Sequence, residues 1–317
     1  MRFVLSQFCL LLTAVFCQQS AYAKPIRLAT YNLNNYLVMD RYVGAVWRPS
    51  YPKPEADKMI IRQVIKQARP DILAVQEMGT LPFLEELRAD LAEEGVHYPY
   101  TIHLAGVDQV RHVAVLSKLS PTAVVKHNDL GFKYQNGRKR VKRGMLELSF
   151  ERSDGSVFKL FVVHLKSRWT DVKADPESQQ RRSREAEACR NRIIERSYDL
   201  GLTDFVVVGD FNDHPASATL RRFYRKGDFD IGALLPASDS RGEQWTYFYH
   251  KQVVYSLVDG FVVSGSLMPQ VVAGEGHIVD ISDVLLGSDH RMVYLDLAEP
   301  EPRLETTDSC DLNFRVD

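Results

Sequence analysis

The chain has 317 residues, with 40 basic against 41 acidic side chains, 45% hydrophobic residues and 26% charged ones. That balance belongs to a globular protein, and it excludes intrinsic disorder, collagen-like repetition and a disulfide-stapled miniprotein. It also lacks the overall basicity of a DNA-coating protein, although local basic patches remain possible. No internal repeat or low-complexity tract divides the sequence, which favours one domain.

The first element in chain order is a targeting segment. Arg2 supplies a minimal positive start, Phe3 to Cys17 is apolar apart from Ser6, Gln7 and Thr13, and Ala21-Tyr22-Ala23 is a small-x-small cleavage site. The apolar run is short of the roughly 20 residues that a membrane span needs. The expectation is cleavage after Ala23, a periplasmic or secreted protein, one domain over residues 24–300 and a tail over 301–317. Of the four cysteines, Cys9 and Cys17 leave with the leader. Cys189 and Cys310 remain, and the sequence leaves open whether they form a disulfide or Cys189 is a small buried hydrophobe.

Beyond the leader, β-branched runs recur, each ending in polar residues. Ile26 to Tyr31 stops at Asn32, Asp71 to Val75 at Gln76-Glu77, and Val113 to Leu116 at Ser117-Lys118. Phe158 to Val163 stops at His164 and Phe205 to Val208 at Gly209-Asp210, while Tyr255 to Val263 carries Asp259 in its middle. These read as central strands. A helix is predicted from Pro54 to Ala68, with Met59, Ile60, Val64, Ile65 and Ala68 at helical spacing. A second covers about Leu81 to Glu94, closed by Gly95, and a third runs from about Pro176 to Leu200. On the third, Ala186, Cys189, Ile193, Ile194 and Leu200 form the inward side and Arg181, Arg182, Arg184 and Glu185 a solvated one. Residues 141–150 and 157–165 pair around Ser153-Asp154-Gly155. The fold class expected is α/β, with mixed sheets layered between helices.

Polar residues at the ends of buried strands are where such proteins place their chemistry, because the strand holds the backbone while the side chain faces a crevice. Here these are Asn32, Glu77, His164, Asp210, Asn212 and the Ser288-Asp289-His290 run. Glu77 and Asp289 with the Asn32 amide oxygen are hard donors suited to Mg²⁺ or Mn²⁺, and no closely spaced His or Cys set suggests zinc.

The order of these contexts resembles the endonuclease/exonuclease/phosphatase superfamily, which includes deoxyribonuclease I. The residues that carry the likeness are Tyr31-Asn32-Leu33-Asn34, Val75-Gln76-Glu77-Met78, Val163-His164-Leu165-Lys166-Ser167, Gly209-Asp210-Phe211-Asn212-Asp213, Leu257-Val258-Asp259-Gly260-Phe261 and Ser288-Asp289-His290-Arg291. The resemblance implies a four-layered α/β/β/α sandwich of two mixed sheets flanked by helices, and metal-dependent cleavage of a phosphoester. By carry-over, Asp259 orients His290 as general base, His164 hydrogen-bonds the phosphate or assists the leaving oxygen, Asn212 donates to a phosphate oxygen, and Asp210 positions water or the transition state. Gly260-Phe261 departs from the aromatic-plus-aliphatic pair that usually follows the orienting aspartate. Asn34 replaces the acidic residue of abasic-site enzymes, and the proline-rich aromatic-cysteine signature of inositol 5-phosphatases is absent.

Substrate choice rests on loops. Arg138 to Arg143, Arg181 to Arg184 and Arg221-Arg222 are basic runs near aromatics, suited to a nucleic-acid backbone or simply to a solvated face. Arg111 and Arg143 are the individual candidates for phosphate contact. Tyr36, Tyr42, Trp47 and Tyr51 follow the first site element and either cap a pocket or pack on the sheet. The leading expectation is an exported nuclease. The alternatives are a phosphatase or phospholipase-C-like hydrolase of a small phosphoester or lipid head group, and a catalytically silent binding module.

Overall fold

The computed structural model describes residues 24–301. Its sheet strands in chain order are β1 (Ile26–Tyr36), β2 (Ile72–Met78), β3 (Tyr100–Leu104), β4 (His112–Ser117), β5 (Ala123–His127), β6 (Met145–Glu151) and β7 (Val157–His164). There follow β8 (Phe205–Asp210), β9 (Gly232–Leu234), β10 (Ala237–Ser238), β11 (Asp259–Ser264), β12 (Gly276–Ile278) and β13 (Val293–Leu297). Seven form one sheet in the order β10-β12-β13-β1-β2-β4-β3, and six form a second in the order β9-β11-β8-β7-β6-β5.

Each sheet is built on a parallel pair. β1 reaches β2 through α1 (Glu55–Ala68), and β7 reaches β8 through α3 (Gln179–Arg196); β1 and β2 run parallel, as do β7 and β8. The helices α2 (Leu81–Glu93) and α4 (Ala218–Tyr224) lie beside α1 and α3 on the respective outer faces. Side chains alternate along a strand, so each strand serves two cores. Phe158, Leu160 and Val162 of β7 meet Leu28, Ile72 and Val115 between the sheets, while Phe161 and Val163 pack under Ala186, Cys189 and Ile193 of α3. On the other side Ala29, Tyr31, Leu73 and Val75 pack under Ile61, Val64 and Ile65 of α1 and Leu84, Leu87 and Leu91 of α2. The result is the expected α/β/β/α sandwich.

Several local expectations change. Ile61, not the exposed Met59, is the inward residue of the first turn pair in α1. Arg182 and Glu185 are buried, because the segment after β7 folds over the start of α3. Arg182 donates to the Lys166 and Glu177 carbonyls and pairs with Asp213 at 3.2 Å, and Glu185 accepts the Lys142 and Lys166 amides. Leu200 is exposed, since α3 ends at Arg196 and a 3₁₀ turn at Tyr198–Leu200 leads the chain outward. The run from Tyr255 to Val263 is not one strand. Val254–Ser256 belongs to a separate hairpin with Tyr247–Tyr249, so Asp259 opens β11 instead of lying mid-strand. Cys189 is buried under α3; Cys310, the leader and nearly all of the expected tail lie outside the described residues.

Glu147 on β6 ties the second sheet to α3. Its carboxylate accepts from Lys159 on β7 at 2.6 Å, from His127 on β5 at 2.7 Å and from Arg196 of α3 at 3.0 Å. Burial alone would raise its pKa, but these donors outweigh it and hold the carboxyl down at about 2, against 4.5 for the free group. The stabilisation is therefore complete above about pH 4.5 and is lost as the pH falls through about 2. Glu147→Gln leaves the buried Lys159 without its counter-charge and is expected to cost about 3–5 kcal/mol in denaturant unfolding, with a flattened acid limb of the stability curve.

Candidate active site

The parallel strands of both sheets end on the same side of the sandwich, and that is where the polar residues gather. His164, Asp210 and Asp259 are register neighbours across β7, β8 and β11, which puts their side chains in one row on the second sheet. Asn32 of β1 faces them from the first sheet, and its Nδ2 donates to Asp210 Oδ2 at 2.9 Å. Its Oδ1 accepts the Asn34 amide at 3.0 Å, which fixes the orientation of the side-chain amide.

The backbone here is unusual. Gly209 has φ +141°, and a Cβ at that position would lie 1.9 Å from the Val163 carbonyl oxygen, so β7 and β8 approach only because residue 209 is glycine. Glu77 and Asn212 adopt φ +57° and +53°, left-handed values that carry a conformational cost and concentrate at functional sites. The turn at Asn212 lets both its amides face Asp210. The backbone N–H donates to Oδ1 at 2.8 Å, and Nδ2 donates to Oδ2 at 2.9 Å and to the Leu165 carbonyl at 3.1 Å.

Asp210 is buried, and desolvation, reinforced by the Asp259 charge, pushes its carboxyl up to about 7. His164 Nε2 lies 3.5 Å from Asp210 Oδ2, and its Nδ1 has no partner among the described residues. Burial and then the Arg143 charge drive the His164 pKa well down, so this imidazole is neutral. His290 Nδ1 meets Asp259 Oδ2 at 2.8 Å. Burial opposes the His290 charge, but Asp259, Asp210 and Asp289 outweigh it and raise the pKa to about 10. Three residues place this pair, of which Thr246 and Tyr247 lie outside the sequence expectation and Ser288 belongs to the expected Ser288-Asp289-His290 run. Thr246 Oγ1 accepts the Val258 and Asp259 amides, Ser288 Oγ bonds both the Asn32 carbonyl and the His290 amide, and the Tyr247 ring lies 4.7 Å from the imidazole. Behind them Arg291, fully buried, pairs with Asp239 at 2.8 Å.

Glu77 and Asp289 reach the same cleft, a cavity of about 480 Å³ also lined by Asn34, Asn35, Asp210, Asn212 and His290. Glu77 Oε2 accepts the Asn35 amide at 3.0 Å. Burial raises the Asp289 carboxyl and the Glu77 charge adds to it, although His290 opposes them. Asp210, Asp259 and His290 form a second acidic group, whose ligand atoms lie within 4.8 Å of one another. Arg111 stands beside Glu77 at 3.8 Å and donates to Asn35 Oδ1 at 2.7 Å. Arg143 is buried against Asp108 at 3.2 Å and the Leu165 carbonyl at 3.4 Å and is not among the cleft-lining residues, although its charge reaches His164. Tyr36 packs in the core, whereas Tyr42, Trp47 and Tyr51 are exposed.

Residues 29–290 match the Endonuclease/Exonuclease/phosphatase family. The chain belongs to that family. Its members are phosphoric ester hydrolases that depend on a divalent metal, so the chain is placed among enzymes of that class. The fold is shared with an endonuclease/exonuclease/phosphatase from Bacteroides vulgatus, 18% identical over 88% of this chain and 100% of that one, TM-score 0.60. It is shared with the catalytic domain of human nocturnin with bound sulfate, at 16% identity over 88% and 96%, TM-score 0.60. Sphingomyelinase C from Streptomyces griseocarneus is 14% identical over 87% and 100%, TM-score 0.55. No curated protein matches the sequence.

Within this family member, the close strand approach at Gly209 sets where Asp210 stands. Gly209→Ala is expected to destabilise the protein by at least about 2 kcal/mol in chemical unfolding, since the new Cβ can be accommodated only by parting β7 from β8.

Proposed function

We propose that this protein is an exported phosphodiesterase that uses Mg²⁺ or Mn²⁺ to hydrolyse nucleic acid, with residues 24–300 as its catalytic domain. The observation that carries this reading is the convergence of Asn32, Glu77, His164, Asp210, Asn212, Asp259, Asp289 and His290 on one end of two sheets. The donor set fits the metal. Glu77 and Asp289 are oxygen donors whose mutual repulsion a divalent cation relieves, and the oriented Asn32 oxygen completes a hard-ligand set. A divalent cation held by Glu77, Asp289 and Asn32 would supply positive charge for the phosphoryl group and would offset the carboxylate charge around His290.

The chain's own groups divide the remaining work. Asp259 holds the His290 ring so that Nε2 faces the cleft and receives the proton of the attacking water. Neutral His164 donates to a phosphoryl oxygen, Asn212 does so by exchanging its Nδ2 bond to the Leu165 carbonyl for one to the substrate, and Asp210, fixed by three N–H groups, positions the water. Arg111 supplies a cation at the edge of the cleft. For substrate class, Trp169, Tyr247 and Tyr249 line the cleft and can stack bases. A second groove, lined by Lys133, Arg184 and Arg222, suits a phosphate backbone. A second reading, hydrolysis of a lipid head group, is favoured by the exposed apolar residues Tyr42, Val46 and Trp47, on a segment whose base bonds the cleft-lining Asn35 through Arg41.

The test is hydrolysis of plasmid DNA, RNA, sphingomyelin and bis-p-nitrophenyl phosphate by the full chain, with Mg²⁺ or with EDTA. Metal-dependent loss of plasmid or RNA is expected, and His290→Ala is expected to lower the rate at least about 10²-fold. Cleavage of sphingomyelin alone would replace the nuclease reading with the lipid one. Independently of turnover, Glu77→Gln is expected to weaken Mn²⁺ binding at least about tenfold, read by calorimetry.

A further inference from the structure

Between β1 and α1 the chain forms a two-stranded ribbon, Met39–Val43 paired with Val46–Tyr51, that joins neither main sheet. A two-residue turn, Gly44-Ala45, closes it, with Gly44 at φ +60°. The pairing sorts its side chains by distance from the tip. Val43 faces Val46, then Tyr42 faces Trp47, then Arg41 faces Arg48. Successive pairs on a hairpin point to opposite faces, so the valines and the aromatics leave the ribbon apolar on both sides. The aromatic side is open to solvent, with Tyr42 70% and Trp47 51% exposed and their rings edge to face at 5.0 Å; on the other side Val46 is 50% exposed, while Val43 and Arg41 are half-buried.

The ribbon is fastened at its base to the catalytic cleft. Arg41 donates to the carbonyls of Asn35 and Leu37, and Lys53 donates to the carbonyl of Asn34 at 2.9 Å. Asn34 and Asn35 line the cleft together with Arg168, Val254 and Trp169, which is 77% exposed.

We propose that this ribbon anchors the protein in the interface of a lipid bilayer. A strand rises about 3.3 Å per residue, so the aromatic pair lies about 3 Å and the arginine pair about 7 Å behind the valines. That sequence of apolar tip, aromatic pair and cation matches the order of acyl boundary, head-group level and lipid phosphate, over the 5–10 Å depth that interfacial segments occupy. Arg48, exposed, and Arg168 at the cleft mouth favour an anionic surface. A nucleic-acid surface fits less well, because the Val43-Gly44-Ala45-Val46 tip offers no donor side chain to a phosphate backbone. The anchor sets the cleft at the membrane surface, and it holds whether the cleft hydrolyses nucleic acid or a lipid head group.

The test uses the full chain with vesicles of phosphatidylcholine and phosphatidylglycerol. Wild type is expected to co-sediment with them, and Tyr42→Ser/Trp47→Ser to partition at least about tenfold more weakly while cleaving bis-p-nitrophenyl phosphate in solution at the wild-type rate. Because the apolar residues before Lys24 are common to both proteins, the difference between them reports the ribbon. A second readout isolates Trp47 as the difference between the emission of wild type and of Trp47→Phe. It is expected to shift to the blue on vesicles and to be quenched by brominated lipid. Equal partitioning of the double variant, or a Trp47 signal that vesicles leave unchanged, overturns the proposal. So does a double variant that binds vesicles normally but no longer cleaves plasmid DNA, since the ribbon would then be a substrate surface. Failure of the phosphodiesterase reading would appear separately, as absent hydrolysis by wild type.

Discussion

A carboxylate buried where two sheets meet is the constraint on which the site depends. Asp210 is buried, and an isolated charge there would cost several kcal/mol or take up a proton. Three N–H groups meet it: one from Asn32 on the opposite sheet and two from Asn212 on its own chain segment. The same contacts that make the group tolerable also lock the two sheets into register at their catalytic ends. Asp210 is thus both a structural bridge between the βαβ units and a titratable group in the cleft.

The strained positions surround that bridge. Gly209 permits β8 to touch β7, Asn212 turns both its amides back onto Asp210, and Glu77 leaves β2 in a left-handed conformation that carries its carboxylate to the cleft. None of these conformations is favourable by itself. They persist because dense packing on both faces of each sheet and the polar contacts at the strand ends hold the chain there. The electrostatics follow from the same packing. His164 stays neutral under burial and the Arg143 charge, while three carboxylates close to His290 raise its pKa against the pull of burial. The ribbon of residues 39–51 is the opposite case, with Tyr42, Val46 and Trp47 left in solvent, joined to the cleft through Asn34 and Asn35.

Much of this was legible in the chain. Runs such as Phe205 to Val208 ending in Gly209-Asp210 announced both a buried strand and a polar terminus, because the strand period and the end of the apolar run are local properties. The six ordered contexts pointed to the superfamily and to the sandwich. What local pattern misjudged were residues whose surroundings come from distant segments. Arg182 and Glu185 look solvated on a helical wheel, yet the loop after β7 covers them. Thr246 carries no signal as a positioning residue until the chain brings its hydroxyl to the Val258 and Asp259 amides. Arg143 reads as a phosphate contact beside Gly144; the structure buries it in an ion pair with Asp108, off the cleft lining, with its charge still acting on His164.

The sequence by itself determined which residues end the central strands and which chemistry those residue types can support, since both depend on neighbours along the chain. Only the tertiary structure decided that His164, Asp210 and Asp259 form one row and that Asn32 crosses to meet it. It likewise placed Glu77 and Asp289 on one cleft and left Tyr42 and Trp47 without cover. The reason is physical: strand register, the facing of two sheets and the burial of a charge are set by contacts between segments far apart in the chain, which no local pattern encodes.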